Sequence, residues 1–152
     1  MKSITIHQPW ATLIALGEKQ YETRSWQINY RGPLAIHAGK KVDREACEWE
    51  PIKSTLAKHG YTTDNLPTGA VVAIANLSEC WFVGLDYERS LMPYLFNFVD
   101  GSTKRRRVSL KEDKFGDYTD GRFAWQMSDV QRLPEPIPAK GQQGLWNWDG
   151  QP

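Results

Sequence analysis

Apolar positions along this chain switch between two periods, and the switches mark out its elements. Lys2 to Ile6 predicts a short first strand. Pro9 then opens a run in which Ala11, Leu13, Ile14 and Leu16 fall at helical spacing, and Gly17 stops it. Tyr21 to Trp26 predicts a second strand, Asn29 to Pro33 a turn, and Leu34 to Ala38 a buried strand. Asp43 is a fair N-cap for a helix running to about Lys58, with Gly60 just past its end. Ala46, Trp49, Ile52 and Leu56 can share one face of it, and Pro51 kinks or divides it.

The second half reads as strands. Asp64 to Gly69 is a loop, and Ala70 to Val83 is the longest strand candidate, continuously apolar in its first half. Residues 84–121 carry the weakest pattern: Pro93 to Val99 can form a strand, and Lys111 to Gly121 is a polar, mobile loop. Arg122 to Val130 alternates, with Phe123, Trp125 and Met127 on one face. Three prolines keep Leu133 to Pro138 extended, and Gln143 to Trp148 closes the sheet. About five to seven strands with two main, early helices predict an α+β domain, a small curved β-barrel. The chain contains no Gly-x-Gly-x-x-Gly and no phosphate-loop sequence.

Composition narrows the classes. At 152 residues the chain fits one domain, residues 1–152, and can bury a core without disulfides or a structural metal. A net charge of +1 gives no global field toward nucleic acid or membrane, so any electrostatic footprint is local. Cys47 and Cys80 are isolated, which suits reduced thiols in a cytoplasmic protein. No apolar run reaches a membrane span, and no signal-peptide pattern opens the chain. No histidine–carboxylate spacing calls for a metal, and nothing calls for a cofactor.

The charged residues that follow the first helix are the leading functional candidates. Glu22 and Arg24 lie two apart on a strand and point to one side, close behind Lys19. In a binding role Lys19 and Arg24 contact phosphate or a base edge, and Glu22 accepts from an exocyclic amine or orients Arg24. In a catalytic role Lys19 is a nucleophile or base with a pKa lowered by burial, and Glu22 handles protons. The bland alternative is a solvated ion pair. His7, Gln8 and Trp10 stand at the mouth of the first helix, where Gln8 can bond a base; otherwise Trp10 packs in the core and His7 satisfies the backbone. Arg31, Lys40, Lys41 and Lys140 can extend a basic rim, or be ordinary surface. Lys104, Arg105, Arg106 and Arg107 form the dense basic run, a secondary patch for phosphate or merely a solvated face. Trp125 and Trp146 are candidate stacking platforms, although alternation favours the core for Trp125. His37 reads as a buried, satisfied histidine.

These segments together resemble the ASCH domain, named after activating signal cointegrator 1 homology. The resemblance rests on Ser3-Ile4-x-Ile6-His7-Gln8-Pro9-Trp10-Ala11, on Gly17-x-Lys19-x-x-Glu22-x-Arg24-Ser25-Trp26, and on Arg31-Gly32-Pro33-Leu34. Pro67-x-Gly69-Ala70-Val71-Val72, Pro136-Ile137-Pro138-x-Lys140-Gly141 and Gly144-Leu145-Trp146 extend it, leaving 84–121 as a variable insert. It implies a PUA-like β-barrel with helices around a cleft. It also implies binding of RNA, single-stranded nucleic acid or a modified nucleoside there. A compact bacterial branch of the family is an amidohydrolase of 4-acetylcytidine that uses a lysine, a threonine and a glutamate. Lys19 matches the lysine, but the threonine position is Glu22 here, and Glu79 and Glu88 are loose candidates for the glutamate. The rival readings are therefore a small hydrolase, amidohydrolase or ribonuclease, using Lys19 and Glu22, and a protein-interaction module with an exposed apolar patch around Leu91 to Phe98.

Overall fold

Alternating apolar residues, broken by proline and glycine, build one curved mixed sheet with short helices set against it. The computed structural model describes residues 1–85, 92–99 and 102–152. Among them are eight strands: β1 (Lys2–Gln8), β2 (Tyr21–Arg24), β3 (Gly32–Val42), β4 (Ala70–Leu85), β5 (Pro93–Val99), β6 (Ser102–Arg107), β7 (Phe123–Pro138) and β8 (Leu145–Asn147). The helices are α1 (Trp10–Ala15), α2 (Ile52–Lys58) and α3 (Leu110–Phe115), with a single 3₁₀ turn at Ala46–Glu48. The α+β class holds. The strand path β2-β7-β4-β3-β1-β8 curves without closing, and the β5–β6 hairpin branches from the far half of β4.

Proline decides the first difference from expectation. The helix read over Asp43 to Lys58 is divided at Pro51 into the 3₁₀ turn and α2. Ala46, Ile52 and Leu56 are buried as the pattern requires, but Trp49, at the break, is 49% exposed. The second difference lies in the insert. The basic run is a β-strand, β6, and the polar stretch expected to be a mobile loop begins with α3. Ser109 caps that helix by accepting a bond from the Glu112 N–H at 3.1 Å. Phe115, fully buried, anchors it beside Leu13, Ile52 and Leu56. Leu133 to Pro138 is extended, as three prolines demand, and it continues β7.

The main core lies between the sheet and α1, built from residues such as Ile4, Ile14, Leu34, Ile36, Leu77 and Trp125. Parallel pairing of β1 with β3, and antiparallel pairing of β2 with β7, bring the end of β1, the β2 charges and the chain before β7 to one edge. Among the described residues no helix is long and apolar enough to cross a membrane. Glu88 and Leu91 lie outside the described residues.

Candidate functional site

The cleft at this edge is assembled from the end of α1 outward. Gln8 caps α1: its Oε1 accepts the Thr12 N–H at 3.0 Å, and its Nε2 donates to Thr12 Oγ1 and to the Pro67 carbonyl, both at 2.7 Å. Gly17, with φ of +74°, turns the chain out of the helix, and the N–H groups of Glu18 and Lys19 fold back onto the Leu13 carbonyl at 3.0 and 3.1 Å. That turn sends the Lys19 side chain inward, where it is 1% exposed and its Nζ donates to the Tyr21 carbonyl. Loss of hydration pushes the Lys19 pKa down, against the opposing pull of Glu22 and Glu112.

Glu22 and Arg24 follow on β2. Arg24 donates to the Thr5 carbonyl at 2.8 Å and to Glu22 Oε2 at 3.2 Å, while Glu22 Oε1 accepts the Thr23 N–H at 3.1 Å. The Arg24 guanidinium also lies 5.9 Å from the Trp125 ring centroid. Behind Lys19, burial pushes the Glu112 carboxyl up; it accepts from the Gln20 N–H and from the Tyr118 hydroxyl. The chain after α3 closes the opposite wall. A Cβ on Gly116 would stand 3.3 Å from Lys19 Nζ and 3.5 Å from Thr23 Oγ1, so this strand of chain passes close over both. Arg122 donates to the Thr23 carbonyl at 3.1 Å, and its Nε is 3.5 Å from Asp117 Oδ2.

Lys19, Glu22, Thr23, Arg24, Gly116, Asp117 and Arg122 line a cleft of about 810 Å³ together with His7, Trp10, Trp26, Trp49, Lys114 and Gln143. The aromatic share of this wall is selective. Trp81, Trp125, Trp146 and Trp148 are buried in the body of the protein, whereas Trp26 and Trp49 are exposed and Trp10 is half-buried against the core, and these three all border the cleft. A cleft with two exposed indoles, a third that is half-buried, two arginines, a buried lysine and two carboxylates can stack a planar ring and bond polar groups on its edge.

Of the residues singled out from the sequence, His7, Trp10, Lys19, Glu22 and Arg24 meet in this cleft. Gln8 does not: it is fully buried, and its amide is used in capping. Arg31 stands apart, holding the Ile28 carbonyl at 2.9 Å and Glu79 at 3.0 Å, which also places Glu79 outside the cleft. Lys40 and Lys140 border a neighbouring cleft of about 900 Å³ with Gly39, Gly69 and Gly141. His37 is buried there, bonded to the Ala139 carbonyl at 2.7 Å and Thr5 Oγ1 at 3.2 Å. Trp125 and Trp146 are core residues, and the Trp146 indole donates to Thr5 Oγ1 at 3.1 Å.

The basic run is divided by strand alternation. Arg106 packs 4.9 Å from the Trp81 ring and donates to the Tyr21 hydroxyl at 2.9 Å, while Arg105 and Arg107 lie on the other face, over Phe96 and Tyr94. Sequence reasoning passed over Trp49, Asp117 and Arg122. Trp49 was assigned to a buried helix face, and the other two join the cleft only through β7 pairing. Among the described residues no three His, Cys, Asp or Glu side chains converge to hold a metal ion.

The ASCH domain model matches residues 4–127 of this chain. Activating signal cointegrator 1 of Homo sapiens is 26% identical over 149 residues, which make up 96% of this chain and 22% of that protein. The Mus musculus protein of the same name matches to the same extent. The chain thus spans about a fifth of the length of the curated relatives it matches. Among solved structures, the crystal structure of ASCH from Zymomonas mobilis aligns with 90% of this chain and 72% of that one, at 18% identity and a TM-score of 0.46.

Proposed function

We propose that this chain, which belongs to the ASCH domain family, binds single-stranded nucleic acid, RNA foremost, by taking a base or modified nucleoside into the Lys19–Glu22–Arg24 cleft. The observation that carries this reading is the placement of tryptophan. Two exposed indoles, Trp26 and Trp49, and the half-buried Trp10 border the same cleft as the buried Lys19 and its charged neighbours. In this reading Trp26 and Trp49 stack on the ring. Glu22 accepts from an exocyclic amine, and Arg24 and Arg122 hold ring carbonyls or phosphate. Pairing to the Thr5 carbonyl and to Glu22 fixes the Arg24 fork before any ligand arrives, which lowers the ordering cost of binding.

The test is a tryptophan-fluorescence titration with short single-stranded RNA, single-stranded DNA and duplex, each at low and high salt. The expected result is a saturable, salt-weakened change with single strands, lost in Lys19→Ala and Arg24→Ala. Folded variants that keep wild-type affinity would overturn the assignment.

One observation favours a second reading. Burial favours the neutral amine of Lys19, the form able to attack an acyl carbonyl, and Glu22 stands close enough to influence its charge. The chain would then be a hydrolase of an acylated cytidine, with Lys19 and Glu22 as its catalytic residues. The assay is release of the acyl group from 4-acetylcytidine; wild-type turnover that disappears in Lys19→Met and Glu22→Gln supports it, and no turnover refutes it.

A further inference from the structure

Strand register places one residue from each of five strands in a single row across the sheet. Arg24 of β2 pairs with Phe123 of β7, Phe123 with Phe82 of β4, Phe82 with Phe96 of β5, and Phe96 with Arg105 of β6. Directly opposed residues on neighbouring strands project to the same face. Four interstrand steps make the row roughly 19 Å long. One end, Arg24, is in the wall of the cleft. The other, Arg105, is an exposed residue on the edge strand.

The row is open to solvent where a folded core would hide it. Phe82 is 39% exposed, and Phe96 and Phe123 are half-buried. Phe82 meets Phe123 edge to face at 5.8 Å. The Phe96 ring lies across Gly84, where a Cβ would come within 2.6 Å of it, so a glycine is what lets the ring lie against the sheet. The Arg105 guanidinium sits 5.6 Å from the Phe96 centroid. Next to it, Arg107 lies 5.7 Å from the Tyr94 ring and donates to the Tyr94 hydroxyl at 3.1 Å.

We propose that this row is a second contact surface, on which single-stranded nucleic acid continues after leaving the cleft. The proposal rests on the reading of the cleft as a base-binding site. Phenylalanine rings accept any base by stacking, and guanidinium groups laid on aromatic rings stay charged and face outward to phosphate. Nucleic acid is the occupant the charge favours, because the row ends in arginine on both sides, contains no carboxylate to repel phosphate, and runs on from the cleft wall at Arg24. The row also accounts for Phe82, which leaves 39% of its surface exposed.

The experiment is fluorescence anisotropy with labelled single-stranded RNA of about 3 and about 12 nucleotides, at several salt concentrations. Wild type is compared with Arg105→Gln/Arg107→Gln, Phe82→Ala and Arg24→Ala, each checked for folding by circular dichroism. The double arginine variant and Phe82→Ala should each bind the long strand about tenfold or more weakly and leave the short strand unchanged. In the arginine variant the slope of log affinity against log salt should fall by about 1.4, for two lost phosphate contacts. The proposal is overturned if the folded variants bind the long strand like wild type, or if wild type binds both lengths equally. Failure of the cleft looks different: Arg24→Ala would then leave the short strand unaffected, and the row, which starts at Arg24, falls with it.

Discussion

Replacing Lys19 by methionine should separate stability from function. Lys19 is almost fully buried, and its Nζ has the Tyr21 carbonyl as hydrogen-bond partner. Removing a hydrogen bond made by a charged group costs about 1.5–3 kcal/mol. Against that stands the desolvation of the ammonium, several kcal/mol per buried ion, which methionine abolishes while filling a similar volume. Glu22 and Glu112 both lose a nearby cation, but Glu22 keeps Arg24 at 3.2 Å and the Thr23 N–H at 3.1 Å, while burial already pushes the Glu112 pKa up and it keeps its bonds from the Gln20 N–H and Tyr118 hydroxyl. Relief of desolvation should prevail, and Lys19→Met should be more stable at neutral pH by about 1 kcal/mol, a rise of about 2–4 °C in Tm. The pH dependence checks the cause. Because the folded-state pKa of Lys19 lies below 10.5, the unfolded chain holds more protons between those two values. Wild-type stability therefore rises with pH through that window, and the advantage of the variant shrinks as pH approaches 10.5. The assay is thermal melting by circular dichroism from pH 7 upward, with RNA titration alongside. A variant that melts several degrees below wild type at pH 7, or a gap that does not change with pH, would refute the reasoning.

Glu18 is clasped by Lys58 at 3.2 Å, His59 at 3.0 Å and Lys111, and the Lys111 bond foremost holds its pKa at about 2 instead of 4.5. Its contribution is complete above pH 4.5 and is lost as pH falls toward 2, so Glu18→Gln should flatten the rise in Tm across that interval. Ser109→Ala removes the cap of α3 and should cost about 1 kcal/mol, read as a lower midpoint in urea unfolding with an unchanged slope. Gly84→Ala pushes a Cβ to 2.6 Å from the Phe96 ring. Overpacking of about 1–3 kcal/mol should outweigh the entropic gain of alanine, lowering Tm and weakening long-strand binding while short strands bind as before.

What the sequence determined by itself is whatever depends on neighbours a few residues away. Pro9, the run Leu13 to Leu16 and Gly17 specify α1 and its stop, because capping and left-handed turns are local events. Alternation specified the buried face of Trp125 and Met127. The spacing of Glu22 and Arg24 put them on one side of β2, and the bond between them follows. The cap of α3 is also a local event, yet the reading of the polar run as a loop passed over it, and Ser109 emerged as the cap only in the structure.

Tertiary structure alone decided the rest. Trp49 borders the cleft because Pro51 breaks a helix whose periodicity had assigned that indole to the core. Arg122 reaches the Thr23 carbonyl from 99 residues away, through pairing of β2 with β7. The run from Lys104 to Arg107 looked like one patch. As a strand it sends Arg106 to Trp81 and Arg105 to Phe96, on opposite faces. The row from Arg24 to Arg105 has no linear trace, since its members come from five strands. Register, not sequence distance, makes them neighbours, and register is set by the whole sheet burying its apolar face at once.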